Sequence, residues 1–365
     1  MTDIYSAQLD LKPRRSSSTA IVVWLGVLCA LVVAMILIGG LTRLTDSGLS
    51  ITEWKPVTGA VPPLSDSAWQ AELEKYRQIP EYQLQNRGMS MAEFKAIYWW
   101  EWGHRFLGRL IGLAFAVPFL IFLAMRQISW PLAQRLLAIF LLGALQGAVG
   151  WWMVSSGLVD RLDVSQYRLA THLGLALIIL AALFWTILEC APPRLTPKGE
   201  PAAIRVSTVL VVLIFLQIIS GAFVAGLDAG MIYNTWPSMD GGFMPAHLQA
   251  GDFAWNDIFE DRGVTQFNHR IGAYLVLICV TGAWLFVRGG AYGRARVWLN
   301  TLTAIAWLQA ALGVATLLSV TALPLGLAHQ TGAVLLLMSA LGFAHDSRGG
   351  FGAKRFSGSE SDRST

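Results

Sequence analysis

Four of the six histidines stand at the same end of four different long apolar segments. In chain order they form two pairs, His104 with His172 and His269 with His329. Each segment can cross a bilayer, which takes about 20 helical residues, and a polar ring at such a place usually has a function. Imidazole is an axial ligand of haem iron, and facing helices of a bundle can present two imidazoles to one centre. The pattern therefore predicts two haem sites inside a membrane.

Two other interpretations of these histidines are possible. A single histidine near a membrane interface is more often a hydrogen-bonded packing residue, but four in matched register favour ligation. Zinc or copper would need further Cys, Asp or Glu ligands. In the second half Gln266 stands where the first half has Glu101, so no acid completes a tetrahedral shell there. Haem iron is the metal that the pattern favours.

The two halves differ at one chemically important position. Glu101 precedes His104 by three residues, whereas Gln266 precedes His269 by three. Two electron-carrying haems need no such difference, but a substrate site beside a cofactor site does. A carboxylate at an apolar site can exchange protons or stabilise a developing cation. The alternative is that Glu101 is simply part of the acidic outer loop.

An arginine follows the first histidine of each pair, Arg105 in one half and Arg270 in the other. Both lie at the expected outer interface, where the propionates of a bound haem would emerge, and a guanidinium binds carboxylates well. Snorkelling of the arginines to lipid headgroups is the alternative. Both interpretations remain open from the sequence.

The composition is that of a membrane protein, with 55% hydrophobic residues, 14% charged residues and a mean hydropathy of +0.52. Basic residues cluster in short loops and form no stripe with interleaved aromatics, which argues for lipid headgroups and against nucleic acid as a partner. The apolar runs predict an all-α polytopic protein with eight transmembrane helices, near 20–42, 104–126, 132–154, 169–189, 206–226, 270–288, 297–319 and 325–345.

Charge places the loops relative to the membrane. Most Lys and Arg of the short segments fall on the side that holds both termini, and the positive-inside rule makes that side cytoplasmic. Residues 1–19 and 346–365 are predicted cytoplasmic tails, and 190–205 a cytoplasmic linker. The longer, acidic loops face outward. The prediction is a multi-pass protein of the cell inner membrane, with its haem sites towards the periplasmic side.

The chain also repeats itself. Glu-Trp-Gly-His-Arg at 101–105 matches Gln-Phe-Asn-His-Arg at 266–270, and the segment 145–150 matches 308–313. Asp46 and Trp54 after the first span match Asp228 and Trp236 after the fifth. Four spans return the chain to its starting side, so the repeat is parallel. It predicts two pseudo-symmetric four-helix bundles, 20–189 and 206–345.

These motifs resemble the haem A synthase family over nearly the whole chain. The resemblance is carried by Glu-x-x-His-Arg at the second span, Thr-His-x-Gly in the fourth, Asn-His-Arg at the sixth and Ala-His-Gln in the eighth. It implies an oxidoreductase that converts haem O to haem A, for use in cytochrome oxidase. In the family a porphyrin methyl is hydroxylated in two rounds, and the geminal diol loses water to leave a formyl group.

The resemblance also implies a role for each residue. His269 and His329 would ligate a permanently bound haem b, the cofactor, with Arg270 beside it. His104 and His172, with Arg105, would hold the haem O substrate, and Glu101 would assist the oxidation. The resemblance implies a haem O synthase as the partner that delivers substrate. An unidentified electron acceptor, membrane lipid and a second copy of the chain in a homo-oligomer are the other expected partners.

One departure from some bacterial members concerns cysteine pairs in outer loops. Here Cys29 and Cys279 lie within spans and Cys190 lies at the inner end of one. With its long first outer loop, the chain resembles the alphaproteobacterial and mitochondrial subtype. Two rival functions remain: a di-haem electron-transfer cytochrome b, which would keep both haems unaltered, and a haem or metal carrier, whose cargo would come and go.

Overall fold

The computed structural model describes residues 19–159, 161–191, 200–251 and 253–349. Most of the two predicted tails, and residues 192–199 of the predicted linker, lie outside them. Within these ranges the chain forms twelve α-helices, three short 3-10 turns and one isolated β-bridge. The helices are α1 (Thr19–Leu44), α2 (Asp66–Tyr76), α3 (Pro80–Leu84), α4 (Met91–Ala124), α5 (Trp130–Val154), α6 (Gln166–Cys190), α7 (Pro201–Gly226), α8 (Ala246–Gln249), α9 (Asp257–Glu260), α10 (Arg262–Val287), α11 (Arg294–Leu318) and α12 (Leu323–Ser347).

Eight of the described helices are long and apolar enough to cross a membrane: α1, α4, α5, α6, α7, α10, α11 and α12. The shortest have 25 residues, and a helix of that length extends about 37 Å, more than the roughly 30 Å of bilayer hydrocarbon. The predicted all-α fold with eight membrane-spanning helices is therefore confirmed.

Two spanning helices begin earlier than their apolar runs predict. α4 begins at Met91, because Ser90 and Glu93 form a capping box in which each side chain accepts a hydrogen bond from the other residue's backbone N–H. α10 begins at Arg262, where Asp261 accepts from the N–H of Val264. As a result Glu101 and His104 lie in the interior of a helix instead of at its start.

The long outer segment between α1 and α4 folds into a small unit of its own. Trp69, Leu73 and Tyr76 of α2 are buried against Phe94 and Tyr98 in the first turns of α4. Burial of large aromatic side chains contributes strongly to such packing. This unit fixes the loop that covers Glu101.

The spanning helices pack in two neighbouring sets. In the first, α1 contacts α4 and α6, and α5 contacts α4 and α6. In the second, α7 contacts α10 and α12, and α11 contacts α10 and α12. The sets meet where α6 packs on α7 and α12 packs on α1. A shared apolar core includes Leu28, Leu136, Leu180, Leu210 and Leu337, all nearly inaccessible to solvent.

Candidate haem sites

Each of the four predicted ligand histidines packs its ring against a glycine of a neighbouring spanning helix. A Cβ on that glycine would lie only 2.9–3.1 Å from the histidine Cε1, so the ring would have to shift to admit any larger residue. The pairs are His104 with Gly39, His172 with Gly150, His269 with Gly221 and His329 with Gly313. Sequence reasoning missed these glycines, although all four lie within the repeated spans.

The geometry of the second histidine pair fits one iron. The ring centroids of His269 and His329 are 6.5 Å apart, with an angle of 85° between the rings. A metal–nitrogen bond of about 2 Å places two axial imidazole centroids roughly 6 Å apart. The Nδ1 atom of His329 is buried and lacks a hydrogen-bond partner within the described residues. These residues can therefore hold a haem between them.

All four histidines line one cavity of about 1320 Å³ between the spanning helices. Glu101 and Gln266 line it too, as do Trp54 and Trp236 of the outer loops. The first pair, His104 and His172, lies in the part of the cavity that α1, α4, α5 and α6 enclose. The structure thus brings the predicted ligands of each pair together from different helices.

Three of the histidines are also held by a glutamine. Nε2 of Gln146 donates to the carbonyl of His172 at 3.0 Å and lies 3.1 Å from its Nδ1. Gln217 does the same at His269, with distances of 2.8 and 3.0 Å. Gln309 donates to the carbonyl of His329 at 2.8 Å. Hydrogen bonds around a metal ligand orient it and tune its basicity.

Glu101 is buried and its two carboxylate oxygens are both occupied. Oε1 accepts from Nη2 of Arg105 at 2.6 Å. Oε2 accepts from the Ser50 hydroxyl and from the Ile51 N–H, each at 2.7 Å. Three donors, one of them charged, stabilise the ionised carboxylate. This arrangement suits stabilisation of positive charge better than proton transfer, the other role that the sequence left open.

Gln266 occupies the matching place, but its loop offers hydrogen-bond acceptors where the loop at Glu101 offers donors. Its Oε1 accepts from Nη2 of Arg270 at 2.8 Å, as Glu101 accepts from Arg105. Its Nε2 donates to the carbonyls of Ala229 and Ile232, at 2.8 and 2.6 Å. Acceptors therefore face the amide here, where donors face the carboxylate in the first half. Each side chain matches its own loop, and the two are not interchangeable.

Arg105 and Arg270 hold the outer loops. Arg105 donates to the carbonyls of Ile51 and Glu53, at 2.8 and 3.1 Å. Arg270 donates to the carbonyls of Tyr233, Thr235 and Ser238. Neither of the sequence interpretations, propionate binding or snorkelling, included these contacts. The guanidinium groups fix the loop over each histidine pair, and propionate binding stays a prediction.

Sequence reasoning did not single out Arg43 at the end of α1. Its guanidinium lies 2.8 Å from Asp46, 3.4 Å from Asp163 and 2.6 Å from Asp228, between the two histidine pairs. The two matching aspartates, Asp46 and Asp228, both have a left-handed backbone, with φ of 46° and 51°. Burial raises the pKa of Asp46 and of Asp163.

The cavity wall also differs between the halves. Four glycines of α4 and α5 line it in the first half, at places where the repeat has three alanines and a leucine. A Cβ on three of them would have no atom within 4 Å. The matching pairs are Gly108 with Ala273, Gly112 with Leu277, Gly143 with Ala306 and Gly147 with Ala310. At these four places the wall of the first half therefore carries smaller side chains than that of the second.

Comparison with known proteins gives one consistent result. A family profile described as cytochrome oxidase assembly protein, COX15-CtaA, matches residues 22–341. A heme A synthase of Parvibaculum lavamentivorans is 52% identical over 326 residues, which cover 89% of this chain and 94% of that protein. A heme A synthase of Maricaulis maris is 51% identical over 336 residues, covering 91% and 97%. One of Azorhizobium caulinodans is 50% identical over 339 residues, covering 91% and 95%.

Proposed function

The chain belongs to the COX15-CtaA family of cytochrome oxidase assembly proteins, and we propose that it oxidises haem O between His104 and His172 beside a resident haem b between His269 and His329. Family membership makes it a multi-pass membrane oxidoreductase that converts haem O to haem A. The observation that carries the assignment of the two sites is the difference between Glu101 and Gln266 in otherwise matching surroundings.

The first half is the better substrate site for two reasons. It holds a carboxyl group, Glu101, one turn before the proposed ligand His104, whereas the second half has the amide of Gln266. It also has glycines where the second half has larger residues, as at Gly112 and Leu277. Haem O carries a long isoprenoid substituent that haem b lacks, and the smaller side chains of this wall suit it.

Glu101 acts in this proposal as a fixed negative charge. Oxidation of the porphyrin methyl draws electron density from its carbon, and a carboxylate held in an apolar cavity stabilises the positive charge that develops. Arg105, Ser50 and the Ile51 N–H keep Glu101 in place without any rearrangement during the reaction. Arg105 also closes the outer loop, which limits the entry of water.

The second half suits a resident cofactor. His269 and His329 would ligate haem b, with Gln217 and Gln309 fixing the two helices at the ligands. When bound, haem b supplies one-electron transfer between the substrate site and an external acceptor. Gln266 keeps the surroundings neutral, and Arg270 holds the loop above them.

The finer architecture forms part of the proposal. Two four-helix bundles, related as a parallel repeat, would lie with both termini in the cytoplasm of a bacterium and the haem sites near the periplasmic face of its inner membrane. The contacts of α1 with α4 and α6, and of α7 with α10 and α12, support the bundles. A haem O synthase, the acceptor and a second copy of the chain are the proposed partners.

The test is to co-express the chain with a haem O synthase in a host that lacks haem A, and to identify the extracted haems by chromatography and mass. We expect haem A, and none when His104 is replaced by alanine. Haem b and unaltered haem O alone, with a competent electron acceptor present, would instead support the electron-transfer or carrier function. The family match does not favour those alternatives.

A further inference from the structure

The four histidine sites share a pattern that breaks at one place. Each histidine ring rests on a glycine, and the residue four positions before that glycine lies one turn away on the same helix face. Three of these residues are glutamines, and the fourth is a methionine. The pairs are Gln146 with Gly150, Gln217 with Gly221, Gln309 with Gly313 and Met35 with Gly39.

The glutamines restrain their histidines. Each donates to the histidine's backbone carbonyl at 2.8–3.0 Å. At His172 and His269 the same glutamine Nε2 atom also lies 3.1 and 3.0 Å from the ring Nδ1.

Met35 cannot restrain His104 in this way. A thioether is a weak acceptor and no donor. The Met35 side chain lines the cavity, and its Cε would be 3.5 Å from a Cβ placed on Gly108. Among the described residues no side chain donates to the His104 carbonyl, and this sets His104 apart, since the buried Nδ1 atoms of His104 and His329 both lack a hydrogen-bond partner there. His104 therefore lacks the support that His172, on the other side of the same site, receives from Gln146.

We propose that His104 is the exchangeable ligand of the substrate haem, and that Met35 is the positioning residue that makes it so. The inference rests on the proposed function for the identity of that haem. For haem to leave, the bond between iron and His104 Nε2 breaks first, with both electrons of the bond staying on nitrogen. Iron keeps its oxidation state and remains on His172, which Gln146 holds, until the haem exchanges with the membrane.

This asymmetry suits an enzyme whose haem must enter as substrate and leave as product. In the second half both ligands, His269 and His329, have their glutamine, and a resident haem needs no exchangeable ligand. Loss of a hydrogen-bond partner of a metal ligand lowers metal affinity by about 10–100-fold. A difference of this size at one of two axial ligands is enough to separate a transient haem from a permanent one.

The experiment measures haem release without turnover. Purified full-length protein, loaded with haem O and kept free of oxygen and reductant, is mixed with excess apomyoglobin as a haem acceptor. Extracted haem O and haem b are then followed separately over time. The variants are Met35→Gln, Gln146→Met and, as a size-matched control, Met35→Leu. Absorption and electron paramagnetic resonance spectra give the five-coordinate, high-spin share of the haem O iron.

We expect Met35→Gln to slow the loss of haem O by about tenfold and to lower its high-spin share, as a restored ligand partner would. Gln146→Met should speed the loss of haem O by about the same factor. Met35→Leu should release haem O at the rate of the unaltered protein, and all three variants should retain haem b. Equal release rates and equal spin states in all three variants would overturn the inference. Failure of the unaltered protein to bind haem O at all would instead overturn the proposed function.

Discussion

Nη2 of Arg43 lies 2.6 Å from Oδ1 of Asp228, so the end of α1 is bound to the loop that follows α7. Arg43 also donates to the carbonyl of Ala225, which is the residue that matches Arg43 in the second half of the sequence repeat. One guanidinium therefore joins the end of α1 to the loop that follows α7, and so joins the two sets of helices. Its partners include both aspartates that the repeat conserves within this chain, Asp46 and Asp228.

Replacing Arg43 by glutamine should loosen the two halves. The change leaves Asp163 and Asp228, which are 34% and 33% exposed, without their cation, and the loss of such solvent-exposed ion pairs costs about 1 kcal/mol. We expect a lower Tm in detergent and faster proteolysis of the loops on both sides. Arg77→Gln is the control, because Arg77 and Glu74 form an exposed pair whose loss should not change the Tm. An unchanged Tm for Arg43→Gln would show that the junction does not depend on this residue.

Glu101→Gln should leave haem bound and stop haem A formation. The substitution removes the charge and turns an amide towards two donors, the Ser50 hydroxyl and the Ile51 N–H. Ser50→Ala is the graded control, since it removes one donor and keeps the carboxylate. We expect that variant to retain reduced activity. Normal haem A yield from Glu101→Gln, measured by chromatography of extracted haems, would remove the proposed role.

Variants of the second site should affect haem b alone. His269→Ala and His329→Ala each remove an axial ligand and should strip haem b from the purified protein. Gln217→Leu keeps the ligands and should lower haem affinity by about 10–100-fold, because the hydrogen bond to His269 is lost. Titration of apoprotein with haem measures both effects. Full retention of haem b with an unshifted spectrum in both alanine variants would refute the ligand assignment.

A larger side chain in the cavity wall of the first half should exclude haem O, the larger of the two haems. Gly112→Leu introduces the residue found at the matching Leu277, into a space where a Cβ now meets no atom within 4 Å. Overpacking costs about 1–3 kcal/mol, so haem O affinity should fall roughly tenfold or more while haem b stays bound. Gly282→Leu is the control, because Gly282 also has open space around it but lies away from the cavity. Equal loss of both haems would count against a substrate site in the first half.

The segment between α1 and α4 should lose stability as pH rises from about 4.5 to about 7. Burial raises the pKa of Glu81 from 4.5 to about 7, and the Tyr76 hydroxyl donates to its Oε1 at 2.7 Å. The folded state therefore binds more protons than the unfolded state between those pH values, so stability falls across that interval and levels off above it. Glu81→Gln should remove this dependence and raise stability at pH 8 by about 2 kcal/mol. Amide hydrogen exchange in α2 at pH 5 and pH 8 measures the stability of this segment in the unaltered protein and in Glu81→Gln. Identical pH profiles for these two proteins would contradict the prediction.

The sequence alone determined the class of the protein and its principal residues. Eight apolar runs, four histidines in register and the exchange of Glu101 for Gln266 are all visible in the order of residues, because spanning helices and repeats leave periodic patterns. The sequence placed the start of α4 too late, since Ser90 and Glu93 extend that helix by a local cap outside the apolar run.

The tertiary structure decided how the site residues are supported. Contacts such as Gln217 with His269, Gly39 with His104 and Arg43 with Asp228 join residues that are 52, 65 and 185 positions apart, counting from the residue numbers. No local pattern specifies such pairs, because they depend on how the helices rotate and pack against one another. The four predicted ligand histidines can therefore be found from the sequence. The glutamines that contact three of them, and the methionine at the fourth place, gain their meaning only from the packing of the helices.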